Sequence, residues 1–550
     1  MPVILIVTAS IAAFLAGYRL WGSRVAREAG LDDSRATPAE TVNDGQDFVP
    51  TEPGYLLGQH FSAIAAAGPI VGPIAACLAF GWLPAILWIV VGSIFIGAVH
   101  DFSALAGSVR HGALSIASIV ERHMGRSSYL AFLAFLWLSL IYVIIAFTDV
   151  TAGSFLADVT GGAVATSSLL YLVLGLAMGL CLKAGMPLRP ATFVFVLLVG
   201  LAIWWSPRIP LTLDVAQPRK LWSLLILAYC ILASLAPVWL LMQPRGHLGG
   251  YFLYTILAGA ILGLLWGGGE FTTTWPAFTS WESAQGPLFP VLFVTIACGA
   301  CSGFHGLVCS GTTSKQIKKE SHCRSVGYGA MLLEGLVAVI ALATVMVLPA
   351  GTSAGGPDAI YARGIAGFIA ALGINADFAL TFASLAFATF VYDTLDVAMR
   401  LGRHILMELL GKDMAWRILA TLLTAGLPAG YFLLAPESMM VGGKPVATWK
   451  LVWTLFGSSN QLLGGLTLLT MALWLKRDGR PHRLVLLPGL FMLGITVCSL
   501  LRFLSPLVEW PATGGINNAT VNALVALLFL GLAGFLGYKG WCVLRQRSVA

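Results

Sequence analysis

The sequence predicts an all-α membrane protein that crosses the bilayer many times, and three observations support this class. The 550 residues are 58% hydrophobic and only 10% charged, with a mean hydropathy of +0.86. A soluble domain carries roughly 25% charged residues. The 61 glycines fit the same class, because small residues allow membrane helices to pack closely. Long apolar stretches recur throughout, so we expect about fifteen transmembrane segments.

Each segment is predicted from its length. A bilayer core of about 30 Å requires about 20 apolar residues in a helix. Two polar stretches, 22–56 and 350–377, separate groups of such segments. The predicted segments lie near 2–21, 57–80, 84–108, 128–157, 166–183, 190–206, 221–241, 249–267, 288–312, 326–349, 378–400, 415–434, 449–475, 484–504 and 520–540.

The orientation follows from the basic residues at alternate helix ends. One side, which includes loop 22–56, collects 25 of the 32 Lys and Arg residues, and the other side collects 7. The positive-inside rule therefore places the N-terminus outside and the C-terminus in the cytoplasm. Loop 207–220 is the exception, because it carries three basic residues on the outer side.

Charge and cysteine content narrow the possible partners. The net charge of +7 is explained by basic residues that flank membrane helices, so we expect a lipid bilayer and no nucleic acid as partner. The nine cysteines lie mostly within apolar runs, without the spacing of a secreted disulfide framework. Nothing in the sequence requires a cofactor, and no catalytic triad or phosphate-binding loop indicates an enzyme.

The second segment contains a predicted break. Residues 58–80 read GQHFSAIAAAGPIVGPIAACLAF, and Pro69 and Pro73 each lack the N–H that a helix needs. Gly68 and Gly72 allow the chain to unwind there. An unwound backbone at membrane depth requires protein or a water-filled cavity around it. A simple proline kink is the alternative.

A second break is predicted in residues 298–316, CGACSGFHGLVCSGTTSKQ. Its small residues make helix propagation weak, and we place the break at Ser302–Gly306. By the charge count, this helix and the first broken helix run in opposite directions. Such a pair indicates an inverted-repeat transporter, with the first repeat in 57–270 and the second in 288–475. Segments 1–56, an N-terminal helix with a polar cytoplasmic loop, and 476–550, two C-terminal helices, lie outside the repeats.

The same stretch could instead hold a metal ion. Cys298, Cys301, His305 and Cys309 lie along one stripe of a straight helix. Cys298 and Cys309 would be about 16 Å apart along the axis. A tetrahedral zinc ion needs every ligand within about 2.3 Å, so a straight helix cannot form this site unaided. Small-residue packing is therefore the favoured interpretation, and no bound metal is expected.

Several long blocks of the chain resemble the carbon starvation protein A (CstA) family. The blocks lie between about Tyr55 and Leu475 and stand in the family's order. Cys301 and Cys309 depart from the pattern expected of relatives. The resembling blocks are GQHFSAIAAAGPIVGP, LLILAYCILASLAPVWLLMQPR, LFPVLFVTIACGACSGFHGLVCSGTTSKQI, RSVGYGAMLLEGLVAV, VYDTLDVAMRLGRHILMEL and WTLFGSSNQLLGGL.

The resemblance implies a secondary transporter of the amino acid–polyamine–organocation superfamily, with a LeuT-like inverted repeat and additional helices. Members are linked to peptide uptake during carbon starvation, and close relatives to pyruvate uptake with protons. We therefore expect a symporter of the bacterial inner membrane that imports peptides or pyruvate with a proton or sodium ion. A passive channel and a metal-binding membrane protein that uses the Cys/His cluster are the alternatives.

Ionisable residues within a span are costly and therefore need an explanation. In a LeuT-like fold the helix with VYDTLDVAMR borders an ion site, so Asp393 and Thr394 are the leading candidates for ion coupling. Asp396 is expected to pair with Arg400 one turn later. Further coupling candidates, each with a structural alternative, are Asp149 and Glu334.

The substrate is expected at the two breaks. His60 and His305 lie near them and can exchange protons at physiological pH, although a lone membrane histidine usually packs. Asp101, beside His100, is expected to be structural, and Asn460 with Gln461 to cap an unwound turn or line the cavity. The predicted substrate-binding residues are His60, Ser62, Gly68, Pro69, Gly72, Ser302, Gly303, His305, Ser310, Thr312 and Thr313.

Overall fold

Helices dominate the computed structural model, which describes residues 1–45, 47–65, 67–157, 160–237, 239–349, 356–434, 438–441, 444–507 and 518–545. The helices of the first half are α1 Val3–Gly17, α2 Ser23–Ala29, α3 Pro38–Val42, α4 Pro53–Ile64, α5 Gly68–Phe80, α6 Trp82–Gly92, α7 Ala98–Arg110, α8 Ile116–Met124, α9 Arg126–Phe155, α10 Gly161–Lys183, α11 Leu188–Trp205, α12 Pro218–Leu235 and α13 Met242–Gly267.

The second half continues with longer central helices. Its α-helices are α14 Leu288–Thr295, α15 Ala297–Ala300, α16 Phe304–Gly311, α17 Gly329–Met346, α18 Pro357–Ala370, α19 Ala376–Leu409, α20 Arg417–Leu434, α21 Thr448–Arg477, α22 Arg483–Arg502 and α23 Asn518–Arg545. Short π-helical or 3₁₀ turns cover Tyr18–Gly22, Ser93–Gly97, Ser206–Arg208, Gly268–Glu270, Thr313–Gln316, Arg324–Tyr328 and Met414–Trp416. Two small antiparallel hairpins pair β1 Glu282–Ser283 with β2 Gly286–Pro287 and β3 Ser438–Val441 with β4 Lys444–Ala447.

The predicted class is confirmed. Within the described residues, twelve helical stretches are long and apolar enough to cross a membrane, and the bent pair α4–α5 makes a thirteenth. The total of about fifteen is not confirmed by this count. Residues 288–312, for example, are divided among three helices that are individually too short to span.

The loops that the charge count assigned to one side contact each other. On the predicted cytoplasmic side, Thr51 forms a bridge with Ile317, and Glu320 pairs with Arg110 at 2.5 Å. The backbone N–H of Asp32 also donates to Glu320 (2.8 Å). These contacts join loop 22–56 to the ends of two spans, so the alternation of the helices agrees with the prediction, while the absolute orientation stays a prediction.

The opposite ends of the helices also meet each other. The backbone N–H of Val3 donates to the carbonyl of Phe271 (2.9 Å), and that of Thr274 to Met346 (2.8 Å). In the exceptional loop 207–220, Arg219 pairs with Asp149 and Arg208 stacks 3.9 Å from the centre of the Trp204 ring. A paired and a stacked arginine fit an outer loop, because such contacts hold the two charges near the membrane surface.

Central and peripheral helices differ in what covers them. α19 packs against α9, α18 and α20, and α17 packs against α5 and α18. Peripheral helices leave large apolar side chains exposed, such as Phe193 (69%), Leu232 (70%) and Trp266 (79%). In a chain of this composition, such a surface fits hydrocarbon rather than water. The central helices are therefore the ones that can carry a polar site.

Candidate functional site

The first broken helix bends by 51° between α4 and α5. Ala65 ends α4 with a non-helical ψ of 70°. The break thus lies just before the predicted segment Gly68–Pro73, because the Pro69 ring excludes a helical carbonyl four residues earlier, at Ala65. Gly68 and Pro69 instead open α5, where a first-turn proline is tolerated, and Pro73 lies inside α5.

The second broken helix is interrupted twice, at Ile296 and at 301–303. α21 caps the freed backbone at the second interruption. The side-chain oxygen of Asn460 accepts from the backbone N–H of Phe304 (2.9 Å), and its backbone carbonyl accepts from Gly303 (3.2 Å). Gln461 donates to the carbonyl of Phe293 (2.6 Å). The structure thus shows the predicted caps.

The two broken helices are in direct contact. A Cβ atom on Gly68 would lie 2.4 Å from the Cβ and Sγ of Cys298, and one on Gly72 would lie 2.3 Å from the Thr295 carbonyl oxygen. Only glycine permits this approach, since real Cβ contacts are longer. These contacts join α5 to the Ile296 interruption, which lies before the predicted second break at Ser302–Gly306. This packing fills the space between α5 and the Ile296 interruption, and the expectation that the substrate binds at the two breaks stays a prediction.

A large cavity lies beside the first broken helix. It has a volume of about 1020 Å³ and is bounded by α4, the C-terminal end of α10, the N-terminal part of α13, and α19. This volume is at the upper end of the range of small-molecule sites. Ser62, Asp393 and Thr394 line it, whereas Gly68, Pro69, Gly72, Ser302 and Gly303 do not, and the binding or coupling roles expected of these residues stay predictions. Other polar side chains that line the cavity include Gln59, Lys183, Gln243, Arg245 and His247.

A buried arginine joins two carboxylates at the wall of this cavity. Arg245 Nε donates to Asp393 Oδ1 (2.7 Å), and Arg245 Nη2 lies 2.6 Å from Asp396 Oδ2. Arg245 Nη1 donates to the Tyr229 hydroxyl, which donates in turn to Asp396 (2.8 Å). The Tyr171 hydroxyl donates to the Arg245 carbonyl (2.6 Å). We call Arg245, Asp393 and Asp396 the cavity cluster.

The expected pair of Asp396 with Arg400 does not form. Arg400 instead donates to the carbonyls of Ala233 and Ala236 at the end of α12. Helix C-termini expose unpaired carbonyls, which basic side chains satisfy well. Asp396 is thereby available to Arg245.

A second ionisable cluster is sealed inside the protein. His305 Nδ1 lies 2.8 Å from Asp101 Oδ2, and His305 Nε2 lies 3.0 Å from Glu334 Oε2. Asp101 also contacts His100 Nδ1 at 2.7 Å. All four side chains are at most 1% exposed. These residues, the sealed cluster, join α7, α16 and α17, and in this conformation both His305 nitrogens face carboxylates rather than a substrate.

The remaining predicted residues at the second break serve its local structure. The Ser302 hydroxyl contacts Asn460, and Ser310 accepts from the backbone N–H of Ile116 (3.1 Å). The Thr312 hydroxyl donates to the carbonyl four residues earlier, and its side chain is exposed. The roles in substrate binding predicted for these residues stay predictions.

Two other predicted residues lie away from the cavity. His60 Nδ1 contacts the Thr313 hydroxyl at 2.8 Å and is 1% exposed. Asp149 forms two hydrogen bonds with Arg219, at 2.8 and 3.0 Å. An arginine that holds both carboxylate oxygens is a strong structural partner. The coupling role predicted for Asp149 stays a prediction.

The cysteines and histidine of the possible metal site have separate partners. Cys298 accepts from Asn460 (3.3 Å), and Cys309 contacts His60 (3.7 Å) and the Asp101 carbonyl. Among the residues that the structure describes, no group of three or more His, Cys, Asp or Glu side chains is arranged to hold a metal ion. The helical stripe at 298–309 therefore does not become a ligand set, because the break at 301–303 divides it.

Sequence reasoning missed Arg245 and underrated Asp101. No local pattern pointed to Arg245, which α13, beginning at Met242, carries into the protein. Asp101 was placed near a helix end and considered structural. The adjacent ionisable pair His100–Asp101 within an apolar run was the available signal.

Two opposed broken helices in contact, with a polar cavity beside the first of them, define a polytopic membrane protein of the kind that handles small solutes. The chain belongs to the carbon starvation protein CstA family, which matches residues 2–355 and 350–499. It is 32% identical to the peptide transporter CstA of Campylobacter jejuni (serotype O:2), covering 92% of this chain and 81% of that protein. The peptide transporter CstA of Escherichia coli K12 is also 32% identical (86% and 77% covered). The pyruvate/proton symporter BtsT of E. coli K12 is 34% identical, over 63% of this chain and 49% of BtsT.

Two solved structures show a weaker likeness. The structure of MhsT in complex with L-phenylalanine has a TM-score of 0.47 and 14% identity, covering 90% of this chain and 98% of that one. An Eremococcus coleocola manganese transporter has a TM-score of 0.45 and 14% identity, covering 90% and 97%.

Proposed function

We propose that this protein is a secondary transporter that imports small carboxylated nutrients, peptides or pyruvate, together with protons. The observation that best supports this function is the polar cavity beside the first broken helix, which has Arg245 and Asp393 in its wall. The names of the relatives support the substrate class, since they include peptide transporters and a pyruvate/proton symporter. The proposal contains no chemical step, in keeping with relatives that are named as transporters.

Packing at the breaks favours a transporter over a passive channel. A channel needs a continuous path through the membrane, whereas here Gly68 and Gly72 press against the backbone and side chain of the opposite broken helix. Solute would cross only when these helices move relative to each other, which is how alternating access works. The cavity is thus one half of a path that opens on one side at a time.

The side on which the cavity opens follows from the charge count. Its lining residues lie at the start of α4, the end of α10 and the start of α13. These helix ends belong to the side that collects most Lys and Arg, so the conformation is inward-facing. The N-terminus then lies outside and the C-terminus in the cytoplasm, within the inner membrane of a bacterium.

Buried carboxylates supply the candidates for coupling. Asp393 and Thr394 line the cavity, so a proton or sodium ion in the cavity reaches them directly. Glu334 is a second candidate, but its side chain is sealed beside His305. An ionisable group kept inside a membrane protein at this cost commonly carries a proton or binds an ion. Asp393 is therefore the better candidate.

Uptake into proteoliposomes tests the function. The full chain is reconstituted, and accumulation of labelled pyruvate and of labelled dialanine is measured under a proton gradient and, separately, under a sodium gradient. We expect accumulation above equilibrium with protons only. Asp393→Asn should insert and fold but lose uphill accumulation. Equilibration without accumulation under both gradients would instead identify a passive pore, and no flux of either compound would contradict the substrate class.

A further inference from the structure

The cavity cluster has an unbalanced charge. One guanidinium faces two carboxylates, because Arg245 contacts both Asp393 and Asp396. When both are ionised, the cluster carries a net charge of about −1 in a site of low dielectric, which is costly without a further cation. Arg245 itself stays charged at every physiological pH. The cluster is therefore built to accept one positive charge.

The two carboxylates differ in their access to the cavity. The Asp393 side chain is 22% exposed and lies in the cavity wall, whereas that of Asp396 is fully buried and is held by the Tyr229 hydroxyl. The contact of Arg245 Nε with Asp393 Oδ1 is therefore the one that a solute in the cavity can replace. Asp396 and Tyr229 keep the rest of the guanidinium in place.

We propose that Arg245 is the binding site for the carboxylate group of the transported substrate, and that Asp393 competes with the substrate for it and leaves when protonated. This inference rests on the proposed function and names its binding site. A proton from the cavity water binds a carboxylate oxygen of Asp393, and the ionic contact with Arg245 Nε–H is lost. The substrate carboxylate then accepts that N–H, as a charge-assisted hydrogen bond.

The charge balance predicts one proton for each carboxylate bound. Binding of a substrate anion alone would change the net charge of the cluster from about −1 to about −2. The proton on Asp393 returns the net charge to about −1. Neighbouring groups do not remove this requirement: Lys183 stacks 4.2 Å from the centre of the Trp239 ring, and His247 contacts Thr192. The ionisable groups of neighbouring helices that face the cluster or the cavity include Tyr55, Tyr171, Lys183, Tyr229, Cys230, His247, Tyr251, Tyr254 and Arg400.

Binding to the purified full chain tests the inference. Pyruvate and dialanine are titrated into protein in weakly buffered detergent solution, and proton uptake is followed with a pH indicator dye. We expect about one proton taken up per ligand, and an affinity that weakens about tenfold for each pH unit of alkalinisation once Asp393 is ionised. Methyl pyruvate and dialanine amide, which lack the carboxylate, should not bind.

Asp393→Asn separates the competitor from the binding site. We expect the variant to bind pyruvate and dialanine with little pH dependence and without proton uptake, because the amide cannot be ionised. Glu408→Gln is the matched control: it lies on the same helix, is exposed, and contacts Tyr129 outside the cavity. Glu408→Gln should keep the proton uptake of the natural protein.

Three outcomes would overturn the inference. The first is proton uptake by Asp393→Asn equal to that of the natural protein. The second is complete loss of binding in that variant while it remains folded, which would make Asp393 itself a ligand. The third is binding of dialanine amide as tight as dialanine, which would show recognition of the amine. Failure of the natural protein to accumulate either compound in proteoliposomes would contradict the proposed function separately.

Discussion

The cavity cluster and the sealed cluster have the same charge pattern in different surroundings. Each places one basic side chain between two carboxylates: Arg245 between Asp393 and Asp396, and His305 between Asp101 and Glu334. The first reaches a cavity through Asp393, whereas the side chains of the second are at most 1% exposed. The difference teaches that burial of an ionisable side chain does not by itself make it a transport residue. Its protonation can depend on bound substrate only if the side chain reaches the cavity.

The two basic side chains, Arg245 and His305, also differ in chemistry. Arginine is permanently charged and presents a planar set of donors, so it suits a site where carboxylates exchange. A histidine can bridge two carboxylates by donation only when both ring nitrogens carry protons. We therefore expect the sealed cluster to hold α7, α16 and α17 together, and the cavity cluster to change partners during transport.

The largest effect is expected for Arg245→Gln. It leaves Asp393 and Asp396 without a cation, which should reduce the free energy of unfolding by about 3–5 kcal/mol and abolish uptake. Arg245→Gln combined with Asp396→Asn keeps the net charge of the cluster and should recover folded protein, measured by thermal melting, but not pyruvate binding. Recovery of binding would place the carboxylate site elsewhere.

The next effect is expected for His305→Ala. Loss of the imidazole leaves Asp101 facing Glu334 inside the protein, at a cost of about 3 kcal/mol in the free energy of unfolding. His60→Ala is the control, because His60 is as buried but contacts only uncharged partners, Thr313 and Cys309. The thermal melting temperature of His60→Ala should fall less than that of His305→Ala. A weaker pyruvate affinity for His305→Ala at unchanged stability would support the substrate role predicted from the sequence instead.

Gly68→Ala should have a moderate effect, because it separates the broken helices. The added methyl group would overlap Cys298 and cost about 1–3 kcal/mol of stability, with slower uptake. Gly311→Ala is the control, since a Cβ there meets no atom within 4 Å. Thermal melting and initial uptake rates distinguish the two variants. Equal behaviour would mean that the helices are apart in the resting protein.

A smaller effect is expected when Cys301 and Cys309 are both changed to Ala. The two side chains are buried, so only packing and the weak contacts of Cys309 with His60 and the Asp101 carbonyl are lost. We expect at most about 2 kcal/mol in thermal stability and near-normal uptake. Metal analysis of the natural protein accompanies this test. Bound zinc that disappears in the double variant, together with loss of the fold, would contradict it.

The smallest effect is expected at the loop contact of Asp33. Burial raises the pKa of this carboxyl, but hydrogen bonds from the Ser321 backbone N–H (2.8 Å) and hydroxyl (2.7 Å) outweigh it and hold the pKa below the ordinary value of 3.8. The contact therefore contributes above that pH and is lost as the pH falls below it. Asp33→Asn should cost less than about 1 kcal/mol. Hydrogen exchange near 31–34 should be faster in Asp33→Asn than in the natural protein at neutral pH, and this difference should disappear once acid protonates Asp33.

Features that depend on residues close together in the sequence were predictable from it. The composition gave the membrane class, the spacing of apolar runs located the helices, and Pro69 beside Gly68 located a break to within a few residues. The basic residues predicted the alternation that the loop contacts show. Asp393 was identified because a carboxylate far inside a span is costly whatever its neighbours are.

Tertiary structure alone decided which charges meet. Arg245 and Asp393 are 148 residues apart, and Asp101 and His305 are 204 residues apart, so no local pattern links them. The partner of Asp396 also depends on tertiary packing. Arg245 pairs with Asp396, because Arg400 donates to carbonyls at the end of α12 instead. The sequence by itself determined the membrane-spanning helices and their breaks, because these follow from burial and backbone chemistry within one segment. The cavity and its partners were decided by the fold, because they depend on distances between segments.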